Sequence, residues 1–166
     1  MTDWPFRVSD GASSPEIVAA WAQLSLLPAG KVPLWAACWI VAEYDGEHLV
    51  QLAGLHGDDP HDVRDALHAA LRGCGAGMPE SDLAAATVVF TQLARMHIEG
   101  IAGTQWVGQK TEEVLVRSGY PESIMALPLA RLYRIADEWG AGDGPMRNSP
   151  GSCGRHARSS WAAARS

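Results

Sequence analysis

The run from Leu83 to Ile101, LAAATVVFTQLARMHIEGI, constrains the fold most. Its first half is apolar on nearly every side, so a helix formed there must be covered on more than one face. Leu83, Ala86, Phe90, Leu93 and His97 follow a three/four spacing, while Ala84, Val88, Val89 and Met96 occupy much of the remaining circumference. The pattern predicts a central helix over about residues 81–101, with other helices as its packing partners.

Punctuation residues place those partners. Ser14-Pro15-Glu16 supplies an N-cap, a proline for the first turn and an acid for the positive end of the helix dipole. Ile17, Val18, Trp21 and Leu24 form the stripe of that helix, and Pro28-Ala29-Gly30 stops it. Pro33 opens a second helix, with Trp35, Cys38, Trp39 and Ala42 on one face, Ile40 and Val41 widening it, and Asp45-Gly46 ending it. This helix is expected to be well buried. A short helix comes next, over Glu47 to Leu55.

Asp59-Pro60 then caps and starts a helix whose Val63, Ala66, Leu67, Ala70, Leu71 and Cys74 share one face. The glycines from Gly73 to Gly77 end it. Beyond the central run, Thr104 to Ser118 reads as a less regular amphipathic helix, weakened by Gly108, re-capped near Thr111-Glu112-Glu113 and terminated by Gly119. Pro121 starts a last helical region that Pro128 divides, because an internal proline removes a backbone donor and clashes with the preceding turn. Leu129, Leu132, Tyr133, Ala136 and Trp139 are assigned inward in its second piece. No run alternates as a strand would. The class is all-α, a compact bundle of about six to eight helices.

A chain of 166 residues with 47% apolar and 19% charged side chains fits one globular domain. We assign residues 1–140 to that domain. Residues 141–166, rich in Gly, Ser and Arg, read as a disordered basic tail. The net charge of −6 divides unevenly: residues 1–140 hold nine Lys/Arg against eighteen Asp/Glu, and 141–166 hold four Arg against one Asp. An acidic body argues against phosphate-backbone binding, which depends on cations, so nucleic acid would have to engage the tail. No window reaches a membrane span, and MTDWPFRVSD has no apolar signal core. Cys38, Cys74 and Cys153 show no metal-binding spacing and read as reduced thiols of a cytoplasmic protein.

Candidate chemistry is sparse. Leu49 to Leu67 loosely follows a helix-turn-helix pattern, but the connection from Leu55 to Val63 is long and Asp59, Asp62 and Asp65 would oppose phosphates. His61, Asp65 and His68 lie on one polar stripe and are metal-capable, with His56 or Asp58 as the nearest further ligand; a solvated helix face is the simpler reading. His97, on the core side of the central helix near Glu99, is the candidate general base, with a hydrogen-bonded core histidine as its alternative. No phosphate-binding, nucleophile-elbow, zinc-protease or dinucleotide motif accompanies it, and no cofactor is expected. Seven tryptophans are many for this length. Trp35, Trp39, Trp106 and Trp139 are the candidate partner-binding anchors if exposed, and core residues otherwise.

The segment LAGLHGDDPHDVRDALHAAL, Leu52 to Leu71, is similar to one in small, functionally unassigned all-helical bacterial proteins. The resemblance implies a helical accessory protein and transfers no catalytic residue. Together these features lead us to expect a non-catalytic regulatory or accessory protein that binds another protein. The alternatives are a small helical enzyme or ligand binder using His97 or the His61/Asp65/His68 stripe, and a DNA-binding regulator.

Overall fold

A computed structural model describes Trp4 and residues 13–57 and 59–132. These residues are helical throughout their regular structure. The elements are α1 (Pro15–Gln23), a 3₁₀ turn (Ala29–Lys31), α2 (Val32–Val41), α3 (Glu47–Ala53), α4 (Pro60–Gly73), α5 (Asp82–Ile98), α6 (Thr104–Ser118) and α7 (Glu122–Met125). Residues 128–132 are helical again after a break at Ala126 and Leu127. Pro128 thus opens a separate piece, as its missing donor requires. Tyr133, Ala136, Trp139 and the tail 141–166 lie outside the described residues.

Helix starts obey local chemistry. The Asp59 carboxylate accepts from the backbone N–H of His61 at 2.8 Å and of Asp62 at 3.4 Å, with Pro60 in the first turn. Ser81 Oγ accepts from the N–H of Ala84 at 3.2 Å and caps α5. At α1 the proline is placed as expected, but the Ser14 side chain makes no capping bond. Asp59→Ala is expected to destabilise the fold by roughly 0.5–2 kcal/mol through loss of the cap. Asp59→Ser should restore most of it, as thermal or urea unfolding of the two variants would show.

Helix ends share one device. In α1, α2, α4, α5 and α6 the chain turns through a left-handed residue, and a backbone N–H bonds to the carbonyl five positions back: Leu26 to Trp21, Tyr44 to Trp39, Ala76 to Leu71, Ile101 to Met96 and Tyr120 to Leu115. Gly75, Gly100 and Gly119 supply the positive φ for three of them. Ser25 (φ 56°) and Glu43 (φ 66°) supply it for the other two. α2 therefore ends at Val41, four residues before the Asp45-Gly46 stop that the sequence suggests. α6 runs unbroken through Gly108.

The all-α bundle and its central helix stand as expected, with α5 packed on several neighbours. α5 lies against α1, α6 and α7, whereas α2, α3 and α4 pack on one another and meet the rest through α4 and α1. The buried arc of α5 is Ala85, Ala86, Val89, Phe90, Gln92, Leu93 and Met96. Leu83 and Ala84 are exposed, and so is His97. The core-side placement of His97 is thus corrected: by helical phase position 97 shares the face of Phe90 and Leu93, but it lies in the last turn of α5 and is exposed there.

What joins the parts is a cluster of indoles. Trp4 lies edge-on to Trp21 (ring centroids 5.0 Å apart), Trp35 (5.7 Å) and Trp106 (5.5 Å), linking α1, α2 and α6. Trp21 is fully buried and Trp4, Trp35 and Trp39 nearly so. Beneath the cluster, Trp21 Nε1 donates to Gln92 Oε1 at 2.7 Å, Gln92 Nε2 donates to Ser13 Oγ at 3.4 Å, and Trp39 Nε1 donates to the Ser13 carbonyl at 2.8 Å. The buried amide of Gln92 is therefore tied to both α1 and the segment before it.

Candidate functional site

Trp35 and Trp39 are core residues, and no partner can reach them; the role of binding anchor is withdrawn for both. The Trp35 ring lies edge-on to Trp4, and the Trp39 indole N–H donates to the Ser13 carbonyl, so both face the segment before α1 rather than solvent. Trp106 is half-buried. Its Nε1 is enclosed and finds no hydrogen-bond acceptor among the described residues. The Lys110 ammonium lies 5.8 Å from the ring centroid and 2.6 Å from Glu113 Oε2. Lys110 is the one buried charged residue among the described residues, and the carboxylate and the ring face together compensate its lost hydration. Trp139 lies outside the described residues.

The histidine stripe is a solvated face. His61 Nδ1 is 3.5 Å from Asp65 Oδ2, both side chains are more than two-thirds exposed, and His68 is exposed on the same helix. Among the described residues no three His, Cys, Asp or Glu side chains converge to hold a metal ion; Asp58 is not one of those residues. His97 Nδ1 lies 3.3 Å from the carbonyl of Ala102, so that nitrogen is held by the turn that ends α5. The Cys74 thiol is pushed above its usual range, first by burial and then by the charge of Glu16. A raised thiol is a poorer nucleophile at neutral pH.

Between α3 and α4 six residues intervene, and the start of α4 carries Asp59 and Asp62. Both features depart from a DNA-reading helix pair. No helix among the described residues is long and apolar enough to cross a membrane.

Two apolar surfaces were not singled out by motif. The first is the outer side of α2, VPLWAACWIV, a helix without a charged side chain. Its inner side buries Val32, Pro33, Trp35, Ala36 and Trp39, and its outer side leaves Leu34, Ile40 and Val41 in solvent, Val41 at 85%. Val50 of the adjacent α3 is also exposed. The sequence expectation that Ile40 and Val41 widen a buried face is corrected here: both lie on the outer side of the last turn and are exposed, while Trp39 in the same turn is buried.

The second is a groove of about 440 Å³ along α5, walled by Thr87, Phe90, Thr91, Ala94 and Ile98 on one side and by Leu127, Pro128 and Leu129 on the other. Thr87 Oγ1 donates to the Leu83 carbonyl at 2.8 Å and Thr91 Oγ1 to the Thr87 carbonyl at 2.7 Å. Their hydroxyls are thus engaged with the helix backbone, which lowers the polarity of this wall. Ile98 is 83% exposed, and an Arg95–Glu99 ion pair of 2.7 Å stands at the same end. The spacing of Thr87, Thr91, Ala94 and Ile98 carried a legible signal: an uncharged stripe at helical period opposite the buried arc.

The chain matches no protein-family model, no curated protein and no solved structure.

Proposed function

We propose that this protein is a non-catalytic accessory or regulatory factor that acts by binding another protein, and that the outer side of α2 is its contact surface. The observation that carries the reading is the exposure of Leu34, Ile40 and Val41 on a helix with no charged residue. A surface helix ordinarily presents polar groups to water, and contiguous apolar area at a helix end is characteristic of association surfaces. Val50 is a further exposed apolar residue on α3, which packs on α2. The patch is bordered by exposed Glu43, Asp45 and Glu47, which give an apolar centre an acidic margin.

A photoreactive residue at position 41 of the full chain tests this in native lysate, with the same residue at position 72 on the polar face of α4 as reference. One protein should be captured from position 41 only. Val41→Asp should abolish binding of that protein, once purified, without lowering the unfolding temperature, because the side chain is already solvated. Equal capture from both positions, or none from 41, would exclude α2 as the contact.

A further inference from the structure

We propose that the partner protein docks on α2 through an amphipathic helix whose apolar stripe is flanked by Lys or Arg side chains. The proposal rests on α2 being the contact surface and names the chemistry that the surface selects. Between Lys31 and Arg64 the chain holds no lysine or arginine, and that stretch includes all of α2 and α3. Within it Glu43, Asp45 and Glu47 are exposed, and none of the three makes an ion pair among the described residues. Their charge is uncompensated.

The placement of these acids is built into the fold. After α2 the chain folds back so that the Tyr44 N–H donates to the Trp39 carbonyl at 3.0 Å, and Tyr44 packs against the core. The acids on either side of it stand in solvent. Glu43 lies two residues beyond Val41, which is 85% exposed, so a side chain covering Val41 arrives beside a carboxylate with no partner to give up. A cation there gains an ion pair, whereas a second acid meets repulsion. Leu34 and Val41 are seven residues apart and share one side of a helix about 15 Å long, a length that suits two to three turns of a partner helix. A second copy is the wrong occupant, because each copy brings the same cation-free stretch and a net charge of −6.

Fluorescence anisotropy on the full chain tests this with two labelled helical peptides that share one leucine stripe, flanked by lysines in the first and by glutamates in the second. At physiological ionic strength the lysine-flanked peptide should bind about tenfold more tightly. Leu34→Ser/Val41→Ser should abolish its binding, and Glu43→Gln/Asp45→Asn/Glu47→Gln should bring the two affinities within about twofold of each other. Glu80→Gln/Glu112→Gln/Glu122→Gln removes as many charges elsewhere and should leave the preference intact. A preference that falls equally in both triple variants reflects net charge alone and overturns the proposal. Equal binding of the two peptides, each lost in Leu34→Ser/Val41→Ser, also overturns it while leaving α2 as the contact. If neither peptide binds, the proposal fails and the contact stands or falls on capture at position 41. A dimer in sedimentation that Leu34→Ser/Val41→Ser dissociates would put a second copy on α2 and overturn it as well.

Discussion

Trp4→Ala is expected to lower the free energy of unfolding by about 3–5 kcal/mol, the range for truncating a buried aromatic side chain to alanine. Trp4 stands outside every helix, yet it is edge-on to Trp21, Trp35 and Trp106 at 5.0–5.7 Å. Its removal loses transfer energy, the edge-to-face terms of about 0.5–1.5 kcal/mol per pair, and the packing of three rigid rings around a void they cannot readily close. The change should appear as a lower urea midpoint with little change in slope. Trp4→Phe should recover part of the loss. A midpoint within error of the unaltered protein would mean that the segment bearing Trp4 does not belong to the core.

Gln92→Leu should be the second large effect, about 1–3 kcal/mol, although it replaces an amide by an apolar group inside a core. Trp21 Nε1, in a fully buried ring, donates to Gln92 Oε1 at 2.7 Å. Leucine would leave that donor without an acceptor, and desolvation of an unpaired indole N–H outweighs the gain from an apolar side chain. The discriminating measurement is a double-mutant cycle with Trp21→Phe. Phenylalanine has no donor to strand, so Gln92→Leu should cost much less in that background, apart from the cavity that Trp21→Phe itself introduces. Additive losses would show that Gln92 acts through its volume alone.

How much of the fold was legible in the sequence depends on the range of the interaction concerned. Asp59-Pro60, Ser81, Gly119 and Pro128 act within a few residues, and each starts, stops or divides a helix where its chemistry requires. The face of α4, from Val63 to Leu71, was equally readable because its period is strict. Ser25 and Glu43 gave no such signal: neither is glycine, and the left-handed turn at each is held by bonds to Trp21, Ala22, Trp39 and Ile40 rather than by its own preference.

Residues with distant partners were the least visible. Gln92 reads as a stray polar side chain until the Trp21 indole is placed against it. Trp4 lies in a stretch with no helical period, and only the assembled α1, α2 and α6 explain it. For the candidate surfaces, apolar spacing marked α2 and α5 correctly as needing cover. Which side each helix turned outward depended on neighbours the pattern could not name: Trp35 and Trp39 took the core alternative, whereas Ile40, Val41 and His97 are exposed where a covered face was expected.

The indole cluster also sets a timetable. Trp4 leaves the ribosome before any of the rings it touches, and its contact with Trp106 closes a loop of roughly a hundred residues. Until α6 has been synthesised, a large apolar side chain near the start of the chain lacks its full set of neighbours. α2, α3 and α4, which pack on one another over short sequence separations, can assemble during that interval. The indole cluster can therefore close completely only after α6 has emerged.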